Sequence, residues 1–211
     1  MVSNTSRIIE HLPTLQKIND SMRLYEKVLG WKKIDNVLYG AFSQYPKNDD
    51  LDTVAFKTEL VDSLYKCNLR MDKTKIAEEI VNKKLDLIND DLIKNVDTIA
   101  EIKPGHKRLG WVFSSKYCHF HHPLKYPITD SISKRGLRYL MYKRTFAYYD
   151  SYANFVGDID LVRSSMDYNI SYKDIDIYLY LLGGYLKPQI ISSNVKSVYT
   201  MYPTLSQNLI P

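Results

Sequence analysis

Lys107-Arg108-Leu109-Gly110-Trp111-Val112-Phe113-Ser114-Ser115-Lys116-Tyr117-Cys118-His119-Phe120, followed by His121-His122-Pro123-Leu124-Lys125-Tyr126-Pro127-Ile128-Thr129-Asp130-Ser131-Ile132-Ser133-Lys134-Arg135, is the stretch on which the fold reading turns. Leu109, Val112, Phe113, Tyr117 and Phe120 recur mostly three and four residues apart, which predicts a helix over 107–121 with that stripe buried. Pro123 and Pro127 cannot continue it, because each lacks an N–H and biases its predecessor to extended backbone. Asp130 then stands where a helix N-cap is needed, and a second helix is expected from Asp130 or Ser131 to about Tyr149.

Two side chains in this stretch bear on chemistry. Lys116 shares the apolar stripe with Val112, Phe113 and Phe120, where a lysine is costly unless its ammonium is paired or reaches water past its own stem. Asp130 follows the stiff Pro127-Ile128-Thr129 lead. An N-cap is the commonest reason for an aspartate there, and the same rigid mount suits a catalytic carboxylate.

Working outward, Ile8, Ile9, Leu12, Leu15, Ile18, Met22 and Leu24 predict a helix over 4–29, broken or kinked at Pro13. Residues 31–58 read as irregular chain around Tyr39-Gly40-Ala41-Phe42 and Tyr45-Pro46-Lys47-Asn48-Asp49-Asp50. Helix returns over 59–70, with Val61, Leu64, Tyr65 and Leu69 on one face. Asp72 is expected to cap the next helix, which carries Ile76, Ile80 and Val81. A short helix near 90–101 ends before Pro104-Gly105. Downstream, a short helix is expected over 158–167. Ser171 and Asp174 make a capping-box-like start for a helix carrying Ile175, Tyr178, Leu179 and Leu182, ended by Gly183-Gly184. From about 186 to 211 the chain reads as an irregular tail. Strand signals are few, so the expectation is an all-α fold, about eight helices in a single domain over 1–211.

With 45% hydrophobic and 25% charged residues, a 211-residue chain can fill a core of ordinary size. No apolar run approaches the roughly 20 residues of a membrane span. The polar Met1–Arg7 start lacks the order of a signal peptide. Cys67 and Cys118 are too few to staple such a fold, which points to a reducing, cytoplasmic setting. The net charge of +5 is mild. Its distribution says more: Lys103, Lys107, Arg108, Lys116, Lys125, Lys134, Arg135, Arg138, Lys143 and Arg144 crowd the middle, after acids at Asp49, Asp50, Asp52, Asp86, Asp90, Asp91 and Asp97. Either a basic face for a polyanion or a solvated helix surface follows.

Cys118, His119, His121 and His122 are dense in metal-ligating atoms. Adjacent histidines do not readily aim at one ion, and no second CxxC or HxxxH pair supports them, so no metal is expected. His119 or His121 is a candidate contact to a phosphate or a base; a histidine near a helix C-terminus is also favoured by the dipole alone. Phosphate-cradling glycine loops are absent, and Ser114 and Ser115 lack a nucleophile-elbow context.

Tyr126-Pro127-Ile128-Thr129-Asp130-Ser131-Ile132-Ser133-Lys134-Arg135 resembles the proline-isoleucine-x-aspartate-x-x-valine-x-arginine segment of helix-hairpin-helix DNA glycosylases, especially their adenine and 8-oxoguanine branches. Gly110 falls where the second glycine of the hairpin lies in that superfamily, and Asp176-Ile177-Tyr178-Leu179-Tyr180 resembles an aspartate-x-x-leucine motif in bacterial relatives. The resemblance covers about 104–140. It departs in the hairpin, which reads Lys103-Pro104-Gly105-His106 and Lys107-Arg108-Leu109-Gly110, and in lacking the four-cysteine cluster. The Schiff-base lysine position falls near Val112, which argues against lyase chemistry; Lys116 lies one turn later.

This resemblance implies a helix-hairpin-helix glycosylase-like fold with Asp130 as the catalytic carboxylate at a helix N-terminus and Lys116 as a second catalytic candidate. Tyr117, His119, His121, Tyr126 and Tyr149 become candidates for the base pocket. Lys107, Arg108, Gly110, Lys134 and Arg135 become candidates for holding the phosphates of double-stranded DNA. No cofactor and no obligate protein partner are implied. The expected activity is monofunctional hydrolysis of the N-glycosidic bond of a damaged or modified base, in repair or in defence against phage DNA. The alternatives are a catalytically silent DNA-binding module and a helical protein-interaction domain.

Overall fold

The computed structural model describes residues 9, 11–69, 73–84, 91–102, 107–141, 149 and 151–210; the side chains of 107–109 lie outside the described set. Among the described residues there are eleven α-helices, one 3-10 turn at Pro188–Ile190 and no strand. The all-helical expectation holds, with more helices than the pattern suggested. Among the described residues no helix is long and apolar enough to cross a membrane. The chain divides into two compact units, Met1–Leu29 with Asp130–Pro211, and Gly30–Thr129.

The first unit contains α1 (Leu15–Lys27), α7 (Ser131–Leu140), α8 (Tyr152–Ser164), α9 (Tyr172–Leu186), α10 (Ser193–Met201) and α11 (Pro203–Gln207). Helix α9 is its centre. Ile175, Ile177, Tyr178, Leu179, Leu181 and Leu182 are all buried, so it is apolar around most of its circumference. It packs on both α7 and α1. The α7–α9 crossing is set by glycine. A Cβ on Gly136 would strike the Leu179 carbonyl, and one on Gly183 would strike the Ile132 carbonyl. Gly183 and Gly184 therefore do not end the helix as expected. They let it pass close to its neighbours, and α9 runs on to Leu186. The Ser171 start is as predicted: its hydroxyl accepts from the Asp174 amide (3.1 Å) and donates to the Asp174 carboxylate (2.7 Å).

The expected irregular tail is instead the 3-10 turn, α10 and α11. Ile191, Val195, Val198, Tyr199 and Leu209 are buried, an apolar set too scattered to read as periodic. Tyr199 donates to the Leu181 carbonyl (2.6 Å), Tyr178 to that of Leu209 (2.9 Å), and the Lys17 Nζ to those of Asn208 and Ile210. The long helix expected from Asp130 to Tyr149 stops at Leu140, where Met141 leaves helical geometry; Tyr149 is not helical either. Thr14 caps α1, so Pro13 marks its start.

The second unit holds α2 (Leu29–Gln44), which begins at the unit boundary, with α3 (Leu51–Tyr65), α4 (Lys73–Lys83), α5 (Leu92–Glu101) and α6 (Lys107–His121). The irregular reading of 31–58 is corrected. Asp35, Leu38 and Phe42 bury one helical face of α2, and Gly40 interrupts nothing, because it lies on the open side. Only residues 45–50 between α2 and α3 are irregular, and Asp50 then caps α3 through the Thr53 amide (2.8 Å). Helix α6 has the predicted bounds. It meets α5 at Gly110, where a Cβ would lie 2.5 Å from the Ala100 carbonyl oxygen. Trp111 Nε1 donates to Asp97 across the same pair (2.7 Å). The Asp72 cap and the Pro104-Gly105 stop lie outside the described residues.

The two kinds of glycine predict opposite outcomes. Gly183→Ala should destabilise the chain by about 1–3 kcal/mol through backbone overpacking, despite better helix propensity. Gly40→Ala, with nothing within 4 Å of its added Cβ, should stabilise by about 0.5–1 kcal/mol. Denaturant unfolding of the two variants checks both signs.

Candidate functional site

In the first unit, Asp130 has extended backbone (φ −140°, ψ 178°) and heads α7. Its Oδ1 accepts hydrogen bonds from the amides of Ile132 and Ser133, both 2.8 Å. Those two donors would otherwise be orphaned at the helix start, and the positive end of the helix favours the carboxylate charge. Oδ2 takes no hydrogen bond among the described residues. The side chain is half-buried. One oxygen is thus tied rigidly to the backbone and the other is open. Tyr180, on α9, feels this carboxylate: burial first, and then the charge of Asp130, hold its phenol well above the usual range.

Lys134 and Arg135 are half-buried on α7. Arg138, one turn on, has its pKa lowered by burial and by the charge of Arg135. Tyr149 is a core residue. It is 3% exposed, donates to Asp158 Oδ2 (2.8 Å) and meets the Phe155 ring edge-on.

The other candidates lie in the second unit. The side chains of Lys107 and Arg108 lie outside the described residues, and Gly110 is enclosed against Ala100. Lys116 is 5% exposed, with Nζ 5.0 Å from the Tyr65 ring centroid. The question its spacing raised is answered by a cation–π contact. Tyr65 in turn donates to buried Asp35 and accepts from Trp31 Nε1 (3.0 Å). Tyr117 and Tyr126 are fully buried. Tyr117 donates to Asn48 Oδ1 (2.7 Å), and the Tyr126 hydroxyl accepts from Asn95 (2.8 Å). His119 is buried with both nitrogens engaged. Nδ1 must donate to the Tyr126 carbonyl (2.7 Å), which leaves Nε2 to accept from the Tyr39 hydroxyl (2.9 Å).

Lys57 is the residue that the sequence reading passed over. It is fully buried on α3, with Nζ donating to the carbonyls of Tyr45 (3.0 Å) and Lys47 (2.7 Å) and to Asn48 Oδ1 (2.9 Å). Phe42 and Tyr117 roof it at 5.4 and 5.8 Å. Burial pushes its pKa down to about 8, against the opposing charge of Asp49. His121 Nε2 lies 3.4 Å from Nζ. The signal was available: Val54, Lys57, Thr58 and Val61 share one helical face, the argument applied to Lys116.

His121 is held neutral. Burial, then the charges of Lys57 and His122, lower its pKa to about 2. Because the folded value is below the unfolded one, this contribution is fully present above about pH 6.5 and is lost as pH falls. Stability should drop by about 2 kcal/mol between neutral pH and pH 5. His121→Gln should flatten that slope in urea titrations at successive pH values; an unchanged slope would remove His121 as its source.

No curated protein and no solved structure matches the chain. A family model described as an N-terminal domain, HI_0787_N, matches residues 14–125. The match takes in α1 to α6, the Lys57 cage, buried His119 and half-buried His121, and stops five residues before Asp130. Since it spans more than half of the sequence, the chain belongs to the HI_0787_N family of N-terminal domains.

Proposed function

We propose that the chain is a DNA glycosylase-like enzyme that hydrolyses the N-glycosidic bond of a damaged or modified base and leaves an abasic site. The observation that carries the reading is the state of Asp130, with Oδ1 fixed by two backbone amides and Oδ2 open. The resemblance of Tyr126–Arg135 to the catalytic segment of helix-hairpin-helix glycosylases supports it.

The chemistry follows from charge. As the bond to the base breaks, positive charge grows on the deoxyribose. A preorganised carboxylate stabilises that state without reorganising, and its open oxygen can orient the attacking water. The base must first leave the stack, at a cost of a few kcal/mol, which is smallest for damaged or mispaired bases. Lys134 and Arg135, on the helix that Asp130 heads, are the cations this reading assigns to the DNA phosphates.

Asp130→Asn and Asp130→Ala separate chemistry from capping. Asparagine still accepts the two amides, so Asp130→Asn should fold with stability close to wild type yet lose base release by on the order of 10²–10³-fold. Asp130→Ala should lose release and also about 0.5–2 kcal/mol of stability. The assay exposes duplexes bearing damaged or hypermodified bases to each protein and scores alkali-labile abasic sites. Equal release by Asp130→Asn and wild type would overturn the role of the carboxylate. Salt-sensitive DNA binding without release by wild type would favour a silent binding module instead.

A further inference from the structure

Between the segment that leads into α1 and the turn that leaves α8, the first unit has a groove of about 560 Å³, walled by Leu12, Pro13, Leu15, Ser165, Asp167 and Tyr168. That size lies within the roughly 300–1,000 Å³ of small-ligand sites. The Tyr168 hydroxyl joins the two walls by donating to the Pro13 carbonyl (3.1 Å). Leu12 and Leu15 leave 41% and 49% of their surface open, whereas Ile18, one turn further on, is buried. Two leucines held open beside a groove offer an apolar body something to cover.

The two walls differ in charge. On one, Ser165 closes α8, its amide donating to the carbonyls of Leu161 (3.1 Å) and Val162 (3.2 Å), so the negative end of that helix lies at the groove. Asp167, two residues on, is exposed, and its carboxylate takes no hydrogen bond or ion pair among the described residues. Cations of the same unit are committed elsewhere. Arg163 serves the Ile170 carbonyl (2.9 Å), Asp160 (3.3 Å) and the Tyr172 ring (4.0 Å), and Lys17 serves the carbonyls of Asn208 and Ile210. On the other wall α1 begins. Thr14 caps the Lys17 amide, while the amides of Leu15 and Gln16 make no hydrogen bond among the described residues. The head of this 13-residue helix favours negative charge. A simple anion in the groove would meet Asp167, and a simple cation would meet the positive end of α1. A molecule carrying both charges, with an apolar body between them, meets neither conflict. The groove also has room for more than a single amino acid. We propose that it binds short apolar peptides with both ends free, the ammonium against Asp167, the carboxylate against the first amides of α1 and the side chains over Leu12 and Leu15.

The test is methyl NMR of the full-length protein with ¹³C-labelled leucine, the signals of Leu12 and Leu15 being assigned with Leu12→Met and Leu15→Met. Millimolar leucyl-leucine should shift both. N-acetyl-leucyl-leucine, which lacks the ammonium, and leucyl-leucinamide, which lacks the carboxylate, should each bind about two- to fivefold more weakly, the worth of one exposed charge contact. Asp167→Asn changes an exposed side chain and should fold as wild type does. It should weaken leucyl-leucine by the same factor without weakening the acetylated peptide. No shift with leucyl-leucine overturns the proposal. So does equal affinity for either blocked peptide, or an Asp167→Asn variant that binds leucyl-leucine as wild type does. Signals that move with protein concentration alone would give the groove to a second copy of the chain and overturn it as well. None of these outcomes touches base release by Asp130→Asn, so the two readings fail separately.

Discussion

Two helices can approach backbone to backbone only where at least one of them presents no side chain at the contact. In the first unit this condition is met twice across one crossing, by Gly136 against Leu179 and by Gly183 against Ile132. The crossing fixes the axial position of α7 on α9. Ile132 lies two residues beyond Asp130, so the same contact fixes the head of α7. Asp130 is therefore located from two directions, by its own bonds to the helix amides and by the seating of the helix it caps. A carboxylate placed in this way has little freedom to follow a ligand, and any partner must come to it.

The second unit solves a different problem. Its irregular segment, residues 45–50, has carbonyls with no ladder or helix to satisfy them. A side-chain ammonium from the following helix fills that role, much as a bound cation would, and is itself kept from water by two aromatic rings. An unpaired buried charge would cost several kcal/mol; three oxygen acceptors at ordinary distances make it tolerable. The arrangement links the loop, α3 and the end of α6 through a single atom. His121 inherits its electrical environment from that atom.

Much of this was legible in the residues, for identifiable reasons. Helix α6 shows strong three- and four-residue spacing between an upstream proline-glycine pair and Pro123, and its bounds came out as read. Asp130 was recognisable as a cap because capping is local, needing only two amides within three residues. Gly183-Gly184 misled because a glycine pair signals a helix end when nothing else is known. Close packing against another helix is a long-range cause that leaves the same letters. Helix α2 was missed because Gly40 and its aromatic neighbours look like turn chemistry, while its buried face of Asp35, Leu38 and Phe42 includes an acid. The C-terminal helices were missed because tertiary contacts to α1 and α9, such as Tyr199 to Leu181, supply what their own periodicity lacks. Lys57 escaped because 31–58 reads as irregular chain, so the helical face it shares with Val54 and Val61, three residues before and four after, does not show.

The difference between the two oxygens of Asp130, one bonded to the helix amides and one not, has a bearing on how related chains are to be compared. The capping duty of Oδ1 is met equally by an aspartate or an asparagine, and nearly as well by a serine. A lineage in which this residue only capped its helix would still be held by selection to a short polar residue at this place, and alignments would show the column as well kept. Persistence of the column therefore records folding alone. Persistence of the acid against its amide is the part that folding does not require, and it is this narrower pattern that a role for the carboxylate beyond capping would leave.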